Sequence, residues 1–288
     1  MIALGTAAPR VTVGLPVFNG ASLLRECLES LAAQDYDGFV VKIADNGSTD
    51  GTSEIAAEFA ACDPRFVHTR RAETVPAVQN FQELCDEAET EFFAWRAYDD
   101  LSAPDFLSKS VAALDAAPQA VLAAPQIRAL RMSGRKDQIR PVLAQHRTGV
   151  RGLSARLFGA HAAWIYGVWR TEAVRQTFAR VMAAYQHAWG QDHLILLPHL
   201  LDDAVAMVPE TTFVQRLVDD RPRVALARPD AAMMATVRAA FEKEVRARIA
   251  ERQWSLPERV ALSLMVPRYV SQRCHSRLRI LKRRFGLG

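Results

Sequence analysis

The sequence predicts an α/β fold: a mostly parallel central sheet flanked by helices, followed by a helical C-terminal extension. Three observations predict it. Strand-like apolar runs alternate three times with segments of helical period before Asp99, the order that builds a parallel sheet covered by helices. The first two strands run into polar turn residues, as strands do where open α/β sheets place their ligands. From Asp230 the pattern is helical almost to the end.

Each element has a local reason. Val11 to Phe18 (VTVGLPVF) reads as a buried strand ended by Pro16 and the Asn19-Gly20 turn. Leu23, Leu24, Cys27, Leu28 and Leu31 recur at helical spacing and carry a helix to about Gln34. Phe39 to Ala44 is a second strand, running into the polar loop DNGSTDGT at 45–52. Thr52 or Ser53 is expected to cap the helix that carries Ile55 and Phe59. A short strand at Phe66 to His68 and a helix from Pro76 to Glu89 follow. Next comes EFFAWRAYDDLSAPDF at 91–106, an aromatic strand leading to Asp99-Asp100, with Pro104 expected to open a helix. Ala120 to Ala124 is strand-like, and 128–149 is a polar, basic excursion of the length that often covers a site. Ala162 to Arg170 reads as a strand, with helices after Thr171 and at Asp192 to Leu201. Ala204 to Arg216 supplies two short strands.

Bulk properties exclude several classes. The chain has 288 residues, half of them apolar, and no run approaches the ~20 apolar residues of a spanning helix. The first ten residues lack a basic leader and a long apolar core, so no secretory signal is expected, and the expected location is cytoplasmic. Cys27, Cys62, Cys85 and Cys274 form no CxxC pair and are expected as buried free thiols. Seven Arg or Lys and no acid lie between Arg268 and Arg284; without them the net +4 becomes about −3. The body is therefore no nucleic-acid binder. The last helix, with Val270, Cys274, Leu278, Leu281 and Phe285 on one face, suits either a peripheral contact with anionic lipid, its own domain, or a homodimer.

Two motifs carry chemistry. Asp99 and Asp100 end a strand where ligands bind, and adjacent carboxylates repel unless a cation or proton holds them; the alternative is a polar turn capping the next helix. A carboxylate at Asp45, followed by Gly and hydroxyl residues, suits a nucleoside edge, although the same residues form turns for conformational reasons alone. No Walker loop and no GxGxxG is present.

Together LPVFNGASLLRECLESL at 15–31, VVKIADNGSTDGT at 40–52 and FFAWRAYDDLSAPDFL at 92–107 resemble the family 2 glycosyltransferases. The resemblance is carried by residues 10–110 and thins towards 217. It implies a GT-A fold with a Rossmann-like sheet. The expected organisation is a nucleotide-sugar-binding half at 1–110, an acceptor-binding half at 111–217 and a helical extension at 218–288. It further implies that Pro16, Phe18 and Asn19 line the base pocket, that Asp45 binds base or ribose, and that Asn80 belongs to the donor site. Asp100 is the expected ligand of Mg²⁺ or Mn²⁺ and Asp99 a sugar or ribose contact, with the two roles interchangeable. A further Asp common upstream of the pair is missing at Ala97 or Tyr98.

In the later half Asp192 is the expected catalytic base, or else a plain helix cap, with His193 beside it. Arg216 matches a family Arg, whereas Val218 stands near the His that often follows. Trp95, Trp164, Trp169 and Trp189 are core residues or sugar platforms. The implied activity is inverting transfer from a nucleotide-diphosphate sugar, with UDP the expected nucleotide, to a glycan, lipid-linked or small-molecule acceptor. The alternatives are a nucleotide-sugar-binding relative without turnover and a nucleotidyltransferase.

Overall fold

The computed structural model of the chain describes residues 8–132, 137–140, 148–217 and 229–286. Two compact units are drawn from non-contiguous stretches. The first comprises the described residues of Met1–Val142, Tyr166–Gln176 and Val205–Leu217; the second those of Leu143–Ile165, Thr177–Ala204 and Val218–Gly288.

The first unit holds a nine-stranded sheet. Its elements are β1 (Val11–Val17), α1 (Ala21–Ala32), β2 (Phe39–Asp45), α2 (Thr52–Cys62), β3 (Phe66–Arg70), α3 (Ala77–Asp86), β4 (Phe92–Trp95), β5 (Leu101–Ser102) and α4 (Phe106–Ala116). These are joined by β6 (Leu122–Arg131), β7 (Gln138–Arg140), β8 (Val168–Arg170), the first part of α6 (Thr171–Ala184) and β9 (Val205–Leu217). The strand order is β3-β2-β1-β4-β8-β6-β9-β5, with β7 paired to β6. β1, β2, β3 and β4 run parallel, and β6 runs parallel to β9; β5, β7 and β8 join antiparallel. The parallel ladders pair most of the residues. All seven residues of β1 are buried, as a central parallel strand with covered faces requires. β2, one position nearer the edge, instead alternates buried Phe39, Val41, Ile43 and Asp45 with half-buried neighbours.

The second unit is helical. α5 (Gly149–Gly159), a 3₁₀ turn at Ala162–Tyr166 that ends at the unit boundary, α7 (Gln191–Leu201), α8 (Ala231–Ala250), α9 (Leu256–Arg273) and α10 (Arg277–Arg284) follow one another in the chain. Leu194 to Leu197, Leu200, Phe241, Val245, Leu262, Val266 and Tyr269 form its core, with the Phe241 and Tyr269 rings stacked 6.3 Å apart. No helix among the described residues is long and apolar enough to cross a membrane.

Several local expectations are corrected. Gly51, in the left-handed region, holds the cap position of α2, so Thr52 is its first residue and neither Thr52 nor Ser53 caps it. Pro104 lies ahead of the α4 cap, Asp105, because 101–102 first pair with β9. The aromatic run from Ala162 is a 3₁₀ turn before it becomes β8. Val205–Leu217 is one strand, with a register shift opposite Pro125/Gln126 in place of the expected break. The described part of the 128–149 excursion continues β6 and forms the β6–β7 hairpin; 133–136 and 141–147 lie outside the described residues, as do Val218 and the first seven residues. The four cysteines are free, but Cys62 is exposed. Trp95, Trp164 and Trp169 are core, whereas Trp189 is half exposed.

The expected continuous final helix is broken after Arg273. The Ser276 hydroxyl accepts from the Arg279 amide at 3.1 Å and caps α10, while Arg238 donates to the His275 carbonyl at 2.7 Å. Val270 and Cys274 are therefore buried before the break, and Leu278, Leu281 and Phe285 are exposed after it.

Candidate functional site

The carboxyl ends of β1, β2 and β4 are neighbours in the sheet, so the three motif segments meet at one rim. Pro16 is buried within β1, opposite Ala44; Phe18 and Asn19 emerge beyond its end and are exposed. Asn19 adopts a left-handed conformation (φ 48°) that aims its side chain at the neighbouring loop. Its Oδ1 accepts from the Thr49 amide at 2.9 Å, and its own amide donates to Ser48 Oγ at 2.9 Å. The first amides of α1 are answered from the same loop: Gly20 donates to Thr52 Oγ1 and Ala21 to Asp50 Oδ2. Four hydrogen bonds thus lace the β1–α1 turn to the β2–α2 loop. Gly20 is required where it stands, since a Cβ there would lie 2.6 Å from the Tyr98 ring.

Asp45 is fully buried. Its Oδ1 accepts from the Ser48 amide at 2.9 Å, its Oδ2 from the Ser53 hydroxyl, and Arg70 stands 3.7 Å from Oδ2. The carboxylate therefore organises the loop. Asn46 fixes the next segment by exchanging two hydrogen bonds with the backbone of Val75. Asn80 is buried on α3 and donates to the Ala44 carbonyl at 3.0 Å, while its Oδ1 accepts no hydrogen bond among the described residues. Asp45, Arg70, Arg71 and Asn80 border a groove of about 720 Å³ beside β2 and β3.

Asp99 and Asp100 are 4% and 3% exposed, and neither caps α4, whose cap is Asp105. That removes the reading of the pair as a simple helix-capping turn. Arg216, from the far end of β9, clamps the turn. Its amide donates to Asp100 Oδ1 at 2.8 Å, its Nε to the Asp99 carbonyl, its Nη2 to the Leu23 carbonyl at 3.0 Å and its Nη1 to Glu26. Burial pushes the Asp100 carboxyl up to about 6, against the Arg216 amide and the Arg96 and Arg216 guanidinium groups, which pull it down. Arg96 is fully buried between the rings of Phe106 and Phe213, at 5.1 and 4.7 Å, and desolvation lowers its pKa. Sequence reasoning missed Arg96 and Glu26. A charged residue directly after the buried run Phe92–Trp95 was the available signal for Arg96.

In the second unit Asp192 is the second residue of α7, following Gly190 at φ 92°. The Asp192 side chain reaches solvent, yet loss of hydration among surrounding protein raises its carboxyl to about 6. Burial, together with Arg273 and His161, pushes the neighbouring His193 down to about 3, so its imidazole is neutral at physiological pH.

Polar loops and a buried carboxylate pair beyond the carboxyl ends of neighbouring parallel strands, in a sheet of this topology, fit a GT-A type of α/β protein. Residues 12–189 match the model of glycosyl transferase family 2, and the chain belongs to that family. It is 32% identical over 203 residues to an uncharacterized protein of Mycobacterium tuberculosis, covering 69% of this chain and 56% of that protein, so it spans little more than half of that relative. S. aureus TarS 1–349, solved in complex with UDP-GlcNAc, shares the fold with a TM-score of 0.64 at 14% identity, covering 97% of this chain and 73% of that one. The mannosyltransferase PcManGT from Pyrobaculum calidifontis, solved with GDP-Man and Mn²⁺, does so with a TM-score of 0.55 at 18% identity, covering 98% and 77%.

Proposed function

We propose that the protein transfers a sugar, with inversion, from a nucleotide-diphosphate donor to an acceptor hydroxyl. The observation that carries the proposal is the rim on β1, β2 and β4, where the Asn19 turn, the Asp45 loop and the Asp99-Asp100 pair converge in a chain of this family. The exposed Phe18 ring and Asn19 would pack on and orient the base beside the buried Pro16. Asp45 would act on base or ribose chiefly by fixing its loop, with Asn80 holding the end of β2. Complexes of the structural neighbours with UDP-GlcNAc and GDP-Man support a nucleotide-sugar donor, with UDP the first to test.

The residues present fit a shared Mg²⁺ or Mn²⁺ rather than a cage built by protein alone. Among the described residues no three His, Cys, Asp or Glu side chains converge, but one or two carboxylates plus substrate phosphates are a sufficient donor set for such an ion. Asp100 and Asp99 would hold it, Asp100 through the oxygen that the Arg216 amide leaves open. The bound ion would supply Lewis-acid stabilisation of the departing diphosphate. Arg216 holds the Asp100 carboxylate and the Asp99 backbone carbonyl, so the turn that carries the pair would need little reorganisation when substrate binds.

Asp192 would take the proton from the acceptor hydroxyl as that oxygen attacks the anomeric carbon from the face opposite the leaving diphosphate. A carboxyl near 6 is ionised at neutral pH and a stronger base than an ordinary Asp. The acceptor classes this chemistry admits are a growing polysaccharide, a lipid-linked sugar or a small natural product.

Calorimetric titration with UDP, GDP and dTDP, each with Mn²⁺ and with chelator, tests the donor site on wild type and Asp100→Ala. Metal-dependent binding of one diphosphate, lost in the variant, is expected. Failure of every diphosphate to bind would overturn the reading. Pyrophosphate release from a nucleoside triphosphate would replace it with a nucleotidyltransferase. Donor binding without hydrolysis or transfer on any acceptor would leave a binding-only relative.

A further inference from the structure

The last thirty residues, 259–288, contain eight Arg or Lys and no Asp or Glu, and α10 presents them in an unusual arrangement. One side of α10 is docked within its own unit. Ile280 and Arg283 are half buried, and Arg279 lies over the Trp189 ring at 5.9 Å, which itself stacks on His275 at 5.0 Å. At 100° per residue, Leu278, Leu281 and Phe285 fall within about 60° of one another, turned away from Arg279 and Arg283, and the Leu281 edge of this stripe borders a groove against Ala235, Ala239 and Glu242 of α8. They are 62%, 51% and 66% exposed. Arg277 and Arg284 flank this stripe on one side and Lys282 on the other, all exposed.

We infer that this face of α10 is a docking surface for an anionic lipid bilayer. An apolar stripe between cations, held on a helix whose other side is anchored, is what an interfacial helix needs: the apolar side chains enter the acyl boundary while the cations meet headgroup phosphates. A second copy fits poorly. A two-fold contact sets the same patch against itself, so each helix would bring Arg277, Lys282 and Arg284 against the same three cations of the other, with no acid on α10 to offset them. Three exposed apolar side chains are also a small seam to offset that repulsion. The surface stands independently of the transferase reading; where both hold, a lipid-linked acceptor becomes the first class to screen.

Flotation of the full chain with phosphatidylcholine vesicles, alone or mixed with phosphatidylglycerol, at low and high salt, tests the inference. Wild type should float with the anionic vesicles at low salt and be released by high salt. The pair Lys282→Gln/Arg284→Gln should weaken binding about 30-fold, at about fivefold for each cation near the surface. The pair Leu278→Ser/Phe285→Ser, which leaves net charge unchanged, should weaken it about tenfold or more. Circular dichroism and melting curves confirm that both variants fold; their α10 changes lie on exposed positions. Absence of wild-type binding, or binding that neither pair reduces, overturns the inference. So does a dimer in sedimentation velocity that Leu278→Ser/Phe285→Ser dissociates, since a second copy would then cover the face.

Discussion

Replacing Asp192 with Asn separates a catalytic carboxylate from a helix cap. Desolvation raises this carboxyl to about 6, so about one tenth of the molecules carry it ionised at pH 5 and about nine tenths at pH 7. A rate that requires the ionised form therefore climbs from pH 5 to 7 and levels above it. Asn accepts no proton, and loss of a positioned general base lowers turnover by about 10²–10⁴-fold. The acid limb should vanish from whatever activity remains. Stability moves the other way. The folded pKa lies above the unfolded value of about 3.9, so Asp192 stabilises the fold fully below pH 4 and loses that contribution as pH rises through 6. Asn escapes this loss, and the variant should be no less stable than wild type at pH 7, by a margin kept small because solvent reaches the side chain. The assay is nucleoside-diphosphate release from the donor across pH 4.5–8, with water or an acceptor hydroxyl as nucleophile, beside calorimetric affinity and thermal melting. Retention of more than a tenth of the activity, or an unchanged acid limb in the variant, would refute the assignment. So would a fall in donor affinity as large as the fall in rate.

Other substitutions test the rim. Asp45→Ala strips acceptors from the Ser48 amide and the Ser53 hydroxyl in a buried site and should cost about 3 kcal/mol, read by urea unfolding, with diphosphate affinity falling as the loop loosens. Arg216→Met leaves the Asp99 and Leu23 carbonyls unanswered and should cost about 3–5 kcal/mol; Arg216→Lys should recover little in the same measurement, because one ammonium cannot replace a fork that reaches three acceptors. Gly20→Ala forces a methyl against Tyr98 and Val17 and should lower the unfolding free energy by about 1–3 kcal/mol, with α1 shifting relative to the Asp45 loop.

What the sequence disclosed about this fold was what neighbouring residues decide. The strands β1 and β4 show as apolar runs because burial there is continuous, β2 shows although it alternates buried and half-buried residues, and the turns after β1 and β2 show because Asn19-Gly20 and DNGSTDGT are rich in turn formers. Elements that long-range pairing creates were not legible. β5 is two residues long and exists through its pairing with Phe213 and Val214. β9 stays one strand through Pro209 because the register shifts there, where local reading expects a break. The division of the final helix depends on a single capping Ser276 and on Arg238, thirty-seven positions upstream of the His275 carbonyl it meets. Asp45 was legible as a carboxylate at the end of β2, but not that its oxygens would be turned inward to Ser48 and Ser53.

Arg216 shows how the pieces that were legible become a site. In the sequence it matched a family arginine with no partner to name; in the fold it reaches a carbonyl of the Asp99-Asp100 turn and two positions on α1. The five charged groups this brings together are Asp99, Asp100 and Glu26 against Arg96 and Arg216, one negative charge in excess by formal count. Arg96 is spent between two rings, and Arg216 has Glu26 for its own partner. Arg96 Nε and Nη1 have no hydrogen-bond partner among the described residues, but the guanidinium is fully buried. By that count a phosphate-bearing donor entering alone at this turn would meet net negative charge, and burial already raises the Asp100 carboxyl to about 6. We therefore predict that a divalent ion and a nucleoside diphosphate bind much more tightly together than either does alone, checked by titrating each in the presence and absence of the other.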